Sequence, residues 1–179
     1  MIVAVCVDDK NGMMFNKRRQ SQDRIQRQHL RKLAEGRMIW MNSYSAVLFL
    51  KDSEQLNAGL ESGAQEDFAQ PNICVDEDFL DRAGENEICF VENQSVSEYT
   101  ETNSCGLDMF PDTANIESVV LYKWNRVYPS DRFFDLDLSG EEWKLTESEE
   151  FEGSSHEKIT MEFYRSHSQV SQSNGEAKE

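Results

Sequence analysis

The residues of this chain that could do chemistry are concentrated in one polar run, NKRRQSQDR, from Asn16 to Arg24. The run holds four cations and a single acid, and it lies between an apolar strand-like segment and a helix-like segment. Guanidinium groups bind carboxylates and phosphates through paired hydrogen bonds, so the run predicts a site for a small anionic or phosphorylated ligand. The candidate ligand-binding residues are Arg18, Arg19, Gln20, Ser21 and Arg24, and the candidate catalytic residue is Asp23.

The same cations have a purely structural interpretation. Nine of the eighteen basic residues lie between Lys10 and Arg37, with only Asp23 and Glu35 opposing them, while the remainder of the chain is acidic and the net charge is -16. On this interpretation the run pairs with the acidic body or with a partner subunit and binds no ligand. The net charge also argues against binding of nucleic acid or of an anionic membrane.

Other chemistries leave little trace in the sequence. His29, His156 and His167 are isolated, so we interpret each as an ordinary surface or helix residue and predict no metal site. The four cysteines include no C-x-x-C pair, which disfavours a zinc site or a disulfide framework. There is neither a G-x-S-x-G elbow nor a phosphate-binding P-loop motif.

Length and hydropathy indicate one domain of ordinary size. A chain of 179 residues is long enough to bury a single core. The apolar run at the N-terminus is too short for a signal peptide and lacks a basic lead-in, and no stretch approaches the ~20 apolar residues of a membrane span. We therefore expect a cytoplasmic protein.

Apolar runs and turn residues predict alternating strands and helices. A helix should begin near Ser21 or Asp23 and end at Glu35, and a second, short helix should begin at Asn42-Ser43. Residues 51–70 are polar and show no firm period, residues 100–116 predict a long loop, and residues 166–179 predict a disordered polar tail. The predicted strands are Met1–Val7, Arg37–Met41, Asn72–Val75, Glu87–Val91 and Glu117–Trp124, followed by a hairpin of Glu142–Phe151 and Glu157–Arg165.

The order of these segments resembles that of the dihydrofolate reductases. The resemblance is carried by VAVCVDDKNGM at the first strand, LRKLAEGRMIWMNSYS at the next helix and strand, EICFVENQSVSEY, and the last third from VVLYKW to the hairpin. It implies an α/β domain over residues 1–165, with a mixed, mainly parallel sheet, flanking helices and a C-terminal antiparallel hairpin. The similarity is one of layout and strand endings.

The resemblance also identifies where the cofactor of that family would bind, and these positions are altered. A Gly-basic-Thr motif is expected at Asn42, Ser43 and Ser45, and no cation is present there. A Gly-Gly pair is expected at Glu92 and Asn93, before Gln94, and a glutamate there adds bulk and negative charge beside a site for an anion. Both changes disfavour NADPH, so the cofactor is unknown.

The substrate side of the resemblance is altered as well. The family holds its pteridine with one acid, and that position falls on Asp23 or on Gln26 depending on how the helix start is aligned; Asp23 is alternatively a helix cap. Trp124 stands where the family commonly has threonine. We expect a dihydrofolate-reductase-fold protein without folate reduction that binds an anionic ligand or a partner; the alternative is a divergent NADPH- or flavin-dependent oxidoreductase.

Overall fold

The structure, a computed structural model, describes residues 1–59, 72–99 and 116–167. A seven-stranded mixed sheet, ordered β5-β4-β6-β1-β7-β10-β9, forms its frame, and a small sheet ordered β3-β2-β8 lies beside it. The strands are β1 Ile2–Val7, β2 Gly12–Phe15, β3 Arg18–Arg19, β4 Met38–Met41, β5 Asn72–Val75, β6 Ile88–Val91, β7 Ser118–Lys123, β8 Arg132–Phe133, β9 Trp143–Phe151 and β10 Ile159–Ser166. The helices are α1 Arg24–Ala34, α2 Ser43–Gly59 and α3 Phe79–Arg82, and a 3-10 turn spans Ser97–Tyr99.

Strand β1 is the centre of the large sheet. It pairs in parallel with β6 on one side and with β7 on the other. Its apolar residues are buried on both faces, because Val3 and Val5 enter one core cluster while Ile2 and Ala4 enter the other. A continuous apolar run, without alternation, is typical of such a strand. The predicted mixed, mainly parallel sheet is confirmed.

The chain ends the sheet with the predicted antiparallel hairpin. Strand β10 pairs with both β7 and β9. Ile159, Met161 and Phe163 face the core, as their alternation with polar residues predicts. Strand β9 is almost entirely exposed and rich in glutamate, a composition that discourages pairing with another chain at a sheet edge.

Helix α2 corrects the sequence interpretation. The predicted helix was short and residues 51–70 showed no firm period, but α2 continues to Gly59. The carboxylate of Asp52 accepts two hydrogen bonds from Arg27 of α1, at 2.6 and 2.9 Å. A buried ion pair thus anchors a stretch that shows no hydrophobic period, and such pairing is invisible to a periodicity argument.

The small sheet is a second correction, because the sequence predicted only a polar loop after β1. Strands β2 and β3 are joined by a turn at Asn16 and Lys17, whose φ angles are 48° and 59°. Positive φ at both central residues defines a type I′ hairpin turn. The carboxylate of Asp131 accepts a hydrogen bond from the Asn16 backbone N–H at 2.8 Å, which holds the turn against the segment before β8. These strands are too short to leave a period in the sequence.

Some sequence predictions lie outside the described residues. They include most of the predicted loop, at 100–115, and residues 168–179 of the predicted tail. Within the described ranges, the helices are too short or too polar to cross a membrane.

Candidate functional site

Asp23 lies where the basic run meets helix α1 and the turn between β9 and β10. It is the N-cap of α1, and its Oδ1 accepts a hydrogen bond from the Gln26 N–H at 3.1 Å. Its Oδ2 accepts from the Ser155 N–H at 2.7 Å and from the Ser155 hydroxyl at 3.0 Å. Only 1% of Asp23 is exposed. The side chain therefore forms the helix cap that the sequence offered as its alternative role.

The surroundings of Asp23 hold it in the ionised form. Burial raises its pKa, but hydrogen bonds from the Ser155, Ser154 and Gln26 backbones and from the Ser155 hydroxyl outweigh burial and hold the pKa well below the usual range. Gly153 allows this covering, because a Cβ there would overlap the Asp23 carboxylate and lie 2.7 Å from Ile159 Cδ1. A general acid needs a pKa near neutrality, so this carboxylate is unsuited to that role.

The turn between β9 and β10 also brings a buried histidine to this place. His156 lies with its Nδ1 3.4 Å from Asp23 Oδ2 and its Nε2 2.9 Å from the Tyr128 hydroxyl. Its ring stacks on Trp124, with centroids 4.6 Å apart and planes at 14°. The interpretation of His156 as an ordinary surface or helix residue is wrong. The Gly-Ser-Ser-His sequence of the turn gave no periodic signal that could have placed it inside.

Gln26 lies in the first turn of α1 and faces an inner cavity of about 20 Å³. It is 2% exposed, and its Nε2 has no hydrogen-bond partner among the described residues. Asp23 and Gln26 both line this cavity, but only Gln26 presents a group with unused hydrogen-bonding capacity. Further lining residues are Cys6, Met13, Phe49, Phe90 and Trp124, with polar groups from Arg19, Gln20, Ser21, Arg27 and Glu92.

Arg19 joins the basic run to helix α2. Its guanidinium donates a 2.8 Å hydrogen bond to the Tyr44 carbonyl and lies 4.3 Å from the centroid of the Tyr44 ring. Its Nη2 is also 3.4 Å from Glu92 Oε2, and both side chains are about nine-tenths buried. This arginine is engaged by internal partners, as the structural interpretation of the run expects.

Arg18 lies on the other face of the same strand. It pairs across the hairpin with Phe15, and the two side chains are exposed next to each other. Within the part of the chain that the structure describes, no ion pair or hydrogen bond engages the Arg18 side chain. A surface groove of about 540 Å³ opens here, lined by Phe15, Asn16, Arg18, Arg19, Gln20, Tyr128 and Pro129.

The remaining candidate ligand-binding residues differ in which of these two spaces they line. Gln20 lines both of them and donates a 2.7 Å hydrogen bond to the Ser130 hydroxyl. Ser21 lines only the inner cavity, where its Oγ lies 3.3 Å from the Ser155 Oγ. Arg24 lines neither space and is exposed on the first turn of α1. Arg18, Arg19 and Gln20 are thus the predicted ligand residues that meet at one groove.

The residues at the predicted cofactor positions also meet in space. Strands β4 and β6 are neighbours, so their carboxyl ends bring Asn42 beside Asn93, with a 2.7 Å hydrogen bond from Asn42 Nδ2 to Asn93 Oδ1. The Ser45 hydroxyl donates to Glu92 Oε2 at 2.7 Å. Burial raises the pKa of Glu92, which Arg19 and Ser45 only partly offset.

A second carboxylate lies at the start of α2. Glu77 Oε1 accepts a 3.0 Å hydrogen bond from the Ser43 backbone N–H, and hydrogen bonds from Ser43 hold the pKa of Glu77 below its usual range. The Gln94 amide donates to the Glu77 carbonyl at 3.3 Å. Helix starts bind phosphate through free N–H groups. Here a carboxylate of the chain itself uses the Ser43 donor.

These contacts do not fit a dinucleotide. A bound pyrophosphate would have to displace Glu77 from the Ser43 N–H and lie close to Glu92, which repels an anion whenever it is ionised. For metals, the described residues contain no group of three or more His, Cys, Asp or Glu side chains that could hold an ion.

Comparison with known proteins supports the fold alone. No protein-family model matches the chain, and no match was found among the curated proteins. Among 165 matching chains of solved structures is a dihydrofolate reductase from Enterococcus faecalis complexed with NADP(H) and RAB-propyl. Its sequence is 11% identical, the match covers 93% of this chain and 96% of that chain, and the TM-score is 0.50. The chain therefore has a dihydrofolate-reductase-like fold.

Proposed function

We propose that this chain is a binding protein built on the dihydrofolate-reductase fold, and that its groove at the small sheet takes a small anionic ligand with a flat apolar body. The observation that carries the proposal is the exposed pair of Phe15 and Arg18 beside Tyr128 and Pro129. A guanidinium group supplies charge and paired donors, while the rings supply apolar surface.

The geometry of the groove supports an occupant of small-molecule size. Its volume of about 540 Å³ falls within the range of roughly 300–1,000 Å³ that ligand sites commonly have. Of the two cations that line it, Arg19 is held by Tyr44 and Glu92, whereas Arg18 is free to turn toward a ligand. A phosphate or carboxylate attached to a ring matches this combination of one cation and several apolar surfaces.

The inner cleft supports the absence of folate reduction. A cavity of about 20 Å³ has room for about one water molecule. The carboxylate that was the candidate catalytic group is covered by Gly153 and Ser155. A bicyclic pteridine could enter only if these elements moved apart and several buried hydrogen bonds broke.

The alternative is a divergent oxidoreductase that uses a nicotinamide or flavin cofactor. It is favoured by the similarity in fold to the dihydrofolate reductase from Enterococcus faecalis that was solved in complex with NADP(H). Against it stand the carboxylates of Glu77 and Glu92 at the ends of the strands where a pyrophosphate would bind.

Equilibrium titration separates the two proposals. We expect phenyl phosphate to bind the full-length chain, and we expect NADPH fluorescence to remain unchanged on adding protein. Arg18→Ala should weaken phenyl phosphate binding by about tenfold, because a charge-assisted hydrogen bond of ~1.5 kcal/mol or more is lost. Arg24→Ala is the matched control: it removes the same charge from an exposed position outside the groove.

Two outcomes would contradict the proposal. Equal weakening by Arg18→Ala and Arg24→Ala would show attraction by overall charge and not a site in the groove. Saturable NADPH binding that Glu92→Gln strengthens would favour the oxidoreductase.

A further inference from the structure

The inner cavity differs from the surface groove in the kind of molecule that it could bind. Two side-chain amides line it, and each has one buried atom without a partner among the described residues: Oε1 of Gln20 and Nε2 of Gln26. One is an acceptor and the other is a donor. Leaving either of them unpaired in a buried place is costly, so such atoms normally have a hydrogen-bond partner.

The orientation of the Gln20 amide is set by its neighbours. The Ser130 hydroxyl can donate to the Tyr128 carbonyl, at 3.3 Å, so it accepts the 2.7 Å hydrogen bond from Gln20 Nε2. This arrangement leaves Gln20 Oε1 as the unpaired atom. Gly12 makes the approach possible, because a Cβ on it would lie 2.6 Å from Ser130 Cβ and 2.9 Å from Gln20 Nε2.

The charged groups in the wall of the cavity are already compensated. Glu92 faces Arg19 at 3.4 Å, and Arg27 is paired with Asp52 outside the lining at 2.6 Å. Asp23 accepts hydrogen bonds from Ser155 and Gln26, as described above. A charged guest would lose its hydration without finding a free counter-charge, which is costly in a buried place. The groups left over are neutral.

We infer that the inner cavity is a site for one uncharged hydrogen-bonding molecule of the size of water, held between Gln20 Oε1 and Gln26 Nε2. Its volume of about 20 Å³ exceeds the roughly 10–15 Å³ that one water needs. The occupant accepts from Gln26 Nε2 and donates to Gln20 Oε1, and it thereby connects the residue after β3 to the first turn of α1.

The inner cavity and the groove share part of their lining. Gln20 and Arg19 separate the two spaces and line both of them. Arg18 of β3 therefore presents a cation to the outer space, and Gln20, which directly follows β3, presents an uncharged acceptor to the inner one. The inference stands whether or not the groove binds an anion, since it depends only on the two amides and the compensated wall.

A high-resolution crystal structure of the full chain, grown without ligands, tests the inference directly. We expect one ordered solvent molecule within about 3 Å of both Gln20 Oε1 and Gln26 Nε2. In solution, water-to-protein NOE spectra should show a long-lived contact with the Gln26 side-chain amide protons. Density for the two amides turned into a direct hydrogen bond, with no solvent between them, would overturn it.

Substitutions of Gln20 and Gln26 test whether the two side chains share one occupant, because their effects on stability should then not be additive. Gln26→Met and Gln20→Met each remove one contact to the occupant, so each should lower the thermal midpoint, and the double variant should lose clearly less than the sum. Additive losses would refute a shared occupant. Because a variant that fails to fold gives no midpoint, the wild-type crystal and NOE measurements remain decisive on their own.

Discussion

The two halves of the polar run, residues 16–18 and 19–24, each contain two cations but have different surroundings. In the first half, Lys17 and Arg18 are exposed beside an open groove. In the second half, Arg19 is paired with Glu92, and Asp23 is covered by the turn between β9 and β10. The difference shows that partners distant in sequence decide which polar residues remain available to a ligand.

This contrast gives a simple expectation for substitutions. Changes at Arg19 and Asp23 in the second half should cost stability, because they break buried hydrogen bonds. Changes in the first half should alter ligand binding while leaving the free energy of unfolding within about 0.5 kcal/mol, unless backbone strain is involved.

The largest effect is expected at Gly153, which covers Asp23. In Gly153→Ala the new methyl group overlaps the Asp23 carboxylate and crowds Ile159, so either the helix cap or the turn must shift. We expect a loss of about 2–3 kcal/mol in the free energy of unfolding, measured by urea denaturation. Gly140→Ala is the control, since a Cβ there meets nothing within 4 Å. Equal effects of the two variants would show that Asp23 is not tightly covered.

Asp23→Asn should have the next largest effect, and it should depend on pH. Asn keeps an acceptor for Gln26 but turns an N–H toward the donors of Ser155, so we expect a loss of about 1–2 kcal/mol at pH 7. The folded-state pKa of Asp23 is lowered, so its contribution is present above the unfolded value of about 3.9 and is lost as pH falls below it.

Urea denaturation of the wild type and Asp23→Asn at pH 7 and pH 3 checks this expected dependence of stability on pH. The difference between the two proteins should shrink at pH 3. Asp9→Asn, at an exposed position, serves as the control and should show no comparable trend. A difference that grows on acidification would mean that Asp23 is protonated in the folded protein.

The fold could be predicted from the sequence because its strands are apolar runs with clear ends. Each of the five predicted strands that precede the hairpin lies within one residue of its observed bounds. The site could be predicted only in part. Asn42 beside Asn93 follows from neighbouring parallel strands ending at one edge, but the contacts of Asp23 with Ser155 and His156 connect residues 132 and 133 positions apart.

The contacts that cover Asp23 and engage Arg19 involve side chains with no sequence pattern of their own. Arg19 could be recognised as a cation, yet nothing in the polar run distinguishes it from Arg18. The distinction arises because alternate residues of a strand face opposite sides, which places Arg19 next to Tyr44 and Arg18 next to solvent. With strands this short, the direction of each side chain depends on the register of the hairpin.

The smallest effect on stability, which is an increase, is expected at the turn between β2 and β3. Lys17 has a φ angle of 59°, which is unfavourable for a residue with a Cβ. Lys17→Gly gives the Asn-Gly pair that type I′ turns prefer, so we expect the free energy of unfolding to rise by about 0.5–1 kcal/mol. Lys10→Gly removes the same charge at a residue outside the positive-φ set and should be neutral or destabilising. If both glycines destabilised the protein equally in urea denaturation, the turn would not be of the type I′ form, and the exposed half of the run would lack the rigid hairpin that holds Phe15 and Arg18 side by side.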